Sequence, residues 1–101
     1  MPTVNTFVSG DVIRFSVIFS LSGTDTDPTT ITFRRKDPNK VVRSYVYATD
    51  TEIVRTAAGR YRIDLQLDLP GEWWVRWEGS GAIAAGAQEM RVRINRSNVL
   101  G

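Results

Sequence analysis

The chain has 101 residues, 42% of them hydrophobic, with a formal net charge of +2; this is one domain's worth of sequence and enough for a single core. It contains no cysteine and no histidine. A disulfide framework, a cysteine-based metal site, the commonest general base and a Ser-His-Asp triad are thereby excluded.

Arginine supplies 11 of the 13 basic residues, and charges of both signs are interleaved. That is the pattern of a solvated mixed-charge surface, whereas nucleic-acid modules cluster their basic residues. The longest basic run is Arg34-Arg35-Lys36. No segment approaches the roughly 18 apolar residues of a membrane span. The first residues, Met1 to Asn5, lack the basic and apolar regions of a secretory leader. Neither a specific nucleic acid nor a membrane is expected as a partner.

Strand signals recur at short, even spacing. Thr3 to Val8 reads as a leading strand, ended by Ser9-Gly10. Asp11 to Ser20 follows, with Ile13, Phe15, Val17 and Phe19 on one face; Ile18 breaks the polar alternation on the other. The stretch from Ser22 to Pro28 is a polar loop of turn formers. Thr29 to Lys36 is the next strand, Ile31 and Phe33 inward, Thr30, Thr32 and Arg34 outward. Asp37-Pro38-Asn39-Lys40 signals a tight turn, and Val41 to Ala48 returns as the hairpin partner. Glu52 to Thr56 is a short strand before the Ala57-Ala58-Gly59 turn.

The clearest alternation runs from Gly59 to Glu78. Tyr61, Ile63, Leu65 and Leu67 share one face of a strand, and Pro70-Gly71 turns the chain. Trp73, Val75 and Trp77 then oppose Trp74, Arg76 and Glu78. Strand side chains alternate between faces, so this is a sheet with one dry and one wet side. A small-residue stretch, Gly79 to Gly86, leads to a last strand, Ala87 to Asn95, with Met90, Val92 and Ile94 opposite Glu89, Arg91 and Arg93. Residues 95–101 read as a frayed tail. No window carries a sustained helical stripe. Seven or eight short strands argue for an all-β antiparallel sandwich, and the same spacing permits a closed barrel.

The chemistry-bearing groups have structural readings. Tyr61 sits in a Gly-x-Tyr arrangement and reads as a core or corner tyrosine whose hydroxyl bonds nearby backbone. Asp64 and Asp68 alternate with arginines on an outer face, which suits cross-strand ion pairing better than a glycosidase pair in a cleft. Asp25 and Asp27 supply too few oxygens for calcium. Gly79-Ser80-Gly81 does not open a helix, so it is no phosphate cradle. No catalytic residue, metal or cofactor is expected. If Trp73 and Trp77 point in, Trp74 points out beside Arg76, either as an interaction anchor or covered by an arginine stem, a neighbouring strand or an inward bulge. Tyr45 and Tyr47 share one face of their strand against Val42, Ser44 and Val46, and the sequence leaves open which face is buried.

The order Gly10-Asp11-Val12-Ile13-Arg14, Asp27-Pro28-Thr29-Thr30, Asp37-Pro38, Gly59-Arg60-Tyr61 and Gly71-Glu72-Trp73-Trp74-Val75-Arg76-Trp77-Glu78-Gly79 resembles small Ig-like proteins from the head-gene clusters of tailed bacteriophages and prophages. The likeness runs from about Ser9 to Ile94; the family pattern usually carries an apolar residue where this chain has Arg35. The resemblance implies an immunoglobulin-like sandwich. It also implies a non-enzymatic virion protein made in the bacterial cytoplasm, a capsid decoration or head–tail component. Its partners would be major capsid or neck and tail subunits, with homo-oligomers in the particle. The partner-binding candidates are Trp74, Arg76, Arg34, Arg91, Arg93, Tyr45 and Tyr47. The alternative is a carbohydrate-binding or adhesive Ig-like module at a cell surface, with Trp74 and Tyr45 stacking on sugars.

Overall fold

A computed structural model describes residues 4–8, 10–81 and 86–95 of the chain. The strands are β1 (Val4–Val8), β2 (Val12–Ile18), β3 (Ser20–Leu21), β4 (Thr24–Asp25), β5 (Thr30–Lys36), β6 (Val42–Val46), β7 (Ile53–Ala57), β8 (Arg60–Gln66), β9 (Gly71–Ser80) and β10 (Gly86–Asn95). They form a five-stranded sheet in the order β1-β10-β9-β5-β6 and a three-stranded sheet in the order β2-β8-β7, with β3 and β4 as a small separate ribbon. This is an all-β, immunoglobulin-like sandwich.

Its strand count exceeds the expected seven or eight because the end of the second strand and the loop after it fold into β3 and β4. Ser22 and Gly23 turn between them at φ 52° and 82°. The pairs are antiparallel, except that β1 runs parallel to β10. Asn95 closes β10 opposite Val8, at the end expected for the last strand, so the tail cannot begin before residue 96. Residues 96–101 and the 82–85 part of the small-residue stretch lie outside the described residues.

Every residue expected in the core from the period-two pattern is buried: Ile13, Phe15, Val17 and Phe19; Ile31 and Phe33; Ile63, Leu65 and Leu67; Trp73, Val75 and Trp77; Val92 and Ile94. Tyr45, Ile53 and Tyr61 join them. Phe33 is at the centre, 4.8 Å from the Trp77 ring, 5.6 Å from Phe15 of the facing sheet and 6.3 Å from Tyr45. Aromatic pairs at such spacing add to the area they remove from water.

The Pro70-Gly71 turn does not join hairpin partners. β8 and β9 belong to different sheets, and residues 67–70 carry the chain across the core. Trp73 Nε1 donates to Leu69 O at 2.9 Å and fastens this crossing. The Asp37 turn is as expected in place and gains a cap: Asp37 Oδ1 accepts the N–H groups of Asn39 and Val41, both at 2.9 Å.

Candidate interaction face

The sandwich presents one broad mixed surface, the outer face of the larger sheet. Register builds it row by row. Val46, Thr32, Glu78 and Ala87 make one cross-strand row; Ser44, Arg34, Arg76 and Glu89 the next; Val42, Lys36, Trp74 and Arg91 a third. Arg93 lies opposite Glu72 at the end. Strands β5, β9 and β10 thus bring together five of the partner-binding candidates, Arg34, Trp74, Arg76, Arg91 and Arg93.

The tyrosines are elsewhere. Tyr45 is buried against Phe33, and Tyr47 is half-buried with its ring 5.2 Å from Tyr61. They point into the core, so neither belongs to this face. The physical reason is the hairpin register, which sets Tyr45 against the inward Phe33. Val42 and Val46 take their place outside, and Val42 is 56% exposed.

Trp74 is 37% exposed. The Arg91 guanidinium lies over its ring, 5.6 Å from the centroid, and Arg91 Nε meets Glu72 Oε1 at 3.0 Å. Such stacking fixes both side chains. Arg34 pairs with Glu78, which Arg76 approaches at 3.6 Å; Arg76 also lies 4.0 Å from Glu89. These bridges are solvent-exposed and each contributes little to stability. Their effect is to hold long side chains in a standing array. Five cations, Arg34, Lys36, Arg76, Arg91 and Arg93, share the face with three carboxylates, Glu72, Glu78 and Glu89. Among the described residues no carboxylate is ion-paired with Lys36 or Arg93. A shallow groove of about 160 Å³ runs beside Trp74, bounded by Val42, Lys36, Arg76 and Glu89. The face therefore offers an apolar slot inside a rim of arginines.

Arg35 lies on the opposite side of β5, half-buried. Its guanidinium is 5.4 Å from the Trp73 ring centroid. A cation over an indole can occupy a place where an apolar side chain would otherwise pack.

The other polar groups are structural. Arg14 binds both oxygens of Asp64 at 2.8 and 3.1 Å, and this hydrogen bonding holds the Asp64 carboxyl below its ordinary range. Asp68 is exposed at the start of the crossing. Asp25 is held by Arg60 at 3.0 Å. Asp27 accepts from Arg55, from Gly59 N at 2.7 Å and from Tyr61 Oη at 2.7 Å. The tyrosine hydroxyl thus bonds a carboxylate rather than nearby backbone. Sequence reading missed this link because the partners are 34 residues apart; a Tyr beside a turn glycine signals only that the hydroxyl needs some acceptor. A larger groove of about 480 Å³ is bounded by residues 16–20 and 86–88 and carries no titratable side chain. Among the described residues no cluster of three or more acidic side chains could hold a metal ion.

No family model matches the sequence, and no curated protein matches it. Solved structures do resemble the fold. The titin M3 domain superposes with a TM-score of 0.55 at 12% identity, over 92% of this chain and 90% of that one. A candidate glycoside hydrolase from Bacteroides vulgatus ATCC 8482 superposes with a TM-score of 0.52 at 16% identity, over 89% of this chain. The chain spans only 16% of that larger protein. At such identities the likeness is one of fold.

Proposed function

We propose that this chain is a non-enzymatic structural protein of a tailed-phage particle, a capsid decoration or head–tail component that acts by docking. The observation that carries the docking role is the outer face of the larger sheet: an exposed tryptophan and a groove, ringed by pre-ordered arginines. Tryptophan and arginine are the residues enriched at the energetic centres of interfaces, and arginine can grip a partner's carboxylates bidentately. The assignment to a phage particle rests on the sequence resemblance. Major capsid, neck or tail subunits are the partners it implies, and repetition on a lattice would let weak contacts add by avidity. The chain has no histidine or cysteine to pair with a nucleophile, and the carboxylates of Asp25, Asp27, Asp64, Glu72, Glu78 and Glu89 each meet an arginine, which supports a role without chemistry.

Sugar stacking is less well supported. It needs open aromatic faces, whereas Tyr45 is buried and Arg91 already lies over the Trp74 ring. The test is Trp74→Ala combined with Arg76→Ala, followed by occupancy on purified particles. The double variant is expected to fold normally and to be depleted from particles. Full occupancy would move the contact off this face.

A further inference from the structure

Strands β1 and β6 are the edges of the larger sheet, β2 and β7 those of the smaller. An edge strand offers unpaired backbone donors and acceptors, and proteins blunt such edges with bulges, charges or covering groups. β7 carries an irregularity between Arg55 and Ala57. β6 is capped where Asp50 Oδ2 accepts the Val46 N–H at 2.7 Å. Among the described residues β2 has neither device. Its only charged side chain, Arg14, leans away from the edge onto Asp64 of β8. Near its two ends stand Val12, 69% exposed, and Ile18, 56% exposed.

The direction of the backbone groups follows from one bond. Phe19 N donates to Gly59 O at 2.7 Å on the β8 side. Odd-numbered residues of β2 therefore turn their N–H and C=O groups to β8, and even-numbered ones turn theirs to the open edge. We propose that β2 is a dimerisation strand. A second copy of this chain adds its own β2 antiparallel, about a two-fold axis at Phe15, and joins the two three-stranded sheets into one.

The register is selected by the side chains. Keeping inward residues opposite inward residues allows only pairings of equal parity. An axis at Arg14 would set guanidinium against guanidinium, which repels. An axis at Ser16 would set Arg14 against Ile18 and Val12 against Ser20. An axis at Phe15 sets Val12 of each copy against Ile18 of the other, and Arg14 against Ser16. Those even-numbered pairs are the ones whose backbone groups reach across, so each can exchange both hydrogen bonds. The two exposed aliphatic residues thereby cover each other twice. An isologous contact of this kind closes at two copies. It leaves the Trp74 face on the opposite sheet free, so it goes beyond the docking reading and does not depend on it.

Sedimentation equilibrium of the purified chain tests the pairing. A concentration-dependent dimer is expected. Ser16→Pro removes an N–H that points to the open edge, a position where a folded chain tolerates proline. It is expected to give a single-chain mass with unchanged far-ultraviolet circular dichroism. Ile18→Lys, which keeps every backbone bond, is expected to weaken the dimer about tenfold or more. Val12→Glu combined with Ile18→Lys places opposite charges together only in the Phe15-centred register, and is expected to restore the dimer at low salt. A single-chain mass for the unaltered protein at every concentration overturns the proposal. So does a dimer that survives both Ser16→Pro and Ile18→Lys. Failure of the double variant to recover overturns the register.

Discussion

The Tyr61 hydroxyl donates to Asp27 Oδ1 at 2.7 Å, and that one carboxylate ties together three parts of the chain. It also accepts the Gly59 N–H of the β7–β8 turn and the Arg55 guanidinium of β7. The arginine, then the glycine N–H, then the phenol hold the Asp27 carboxyl well below its ordinary value of 3.8. A carboxyl held low in the folded chain contributes stability above its ordinary pKa, and that contribution drains away as pH falls below it. Asp27→Asn is expected to cost about 1–2 kcal/mol at neutral pH. The cost should shrink towards pH 3. Urea midpoints at both pH values check this; an equal loss at each would mean that charge plays no part.

Burial, and then the neighbouring Asp27, push the Tyr61 phenol up to about 12. The folded chain therefore holds this proton more tightly than the unfolded chain does. Stability should fall as pH rises from 10 through about 12. Tyr61→Phe should remove that part of the alkaline loss, at a cost near neutrality of about 1 kcal/mol. Thermal melts across the alkaline range would show a parallel decline in both proteins if the phenol were not its source.

Gly59 has φ +71°, and a Cβ there would meet Phe19 O at 2.4 Å and Thr26 N at 2.6 Å. Both are backbone atoms with little room to retreat. Gly59→Ala is expected to lose at least about 2 kcal/mol, from left-handed strain and the forced approach together. A urea midpoint close to that of the unaltered chain would show that the β3–β4 ribbon moves aside.

Trp77 is buried at the centre of the larger sheet, edge-on to Phe33. Trp77→Ala should cost about 3–5 kcal/mol, the range for truncating a large buried aromatic. Near-unaltered stability in urea would contradict its placement in the core.

Arg35 is a half-buried cation in the core-facing row of β5. Its guanidinium gains an indole face, but its Nε is buried with no hydrogen-bond partner among the described residues. The two effects oppose each other. Arg35→Met is expected to change stability by less than about 1 kcal/mol in either direction. A loss beyond that would give the charge a structural role that its contacts do not explain.

The core was legible from Ile13 to Ile94 because a period of two has only one reading once a strand has a dry side. What the pattern cannot carry is which strand lies beside which. The alternation of Tyr61–Leu67 and Trp73–Trp77 is the same whether the Pro70 turn makes a hairpin or a crossing. Tyr45 shows a subtler limit. Its strand offers apolar residues on both faces, so hydropathy could not choose. The turn could have: Asp37 paired to Val41 places Tyr45 opposite Phe33. Alternation placed Trp74 outward beside Arg76, whereas bringing Arg34, Arg91 and Arg93 to the same surface, and stacking Arg91 on Trp74, required the pairing of β9 with β5 and β10. The Asp27–Tyr61 bond was invisible because loop closure leaves no periodic trace.

The parallel pairing of β1 with β10 has a mechanical consequence. Val4 lies beside Arg91 and Val8 beside Asn95, so the start of the first strand and the end of the last lie at opposite ends of one ladder. A pull applied through those two ends loads all the rungs at once, in shear, instead of unzipping them one by one. Force spectroscopy on tandem copies should record one high rupture peak per copy, lowered by any proline that deletes a rung. Along that axis the sandwich behaves as a clasp, hardest to open in the direction in which its own chain would be stretched.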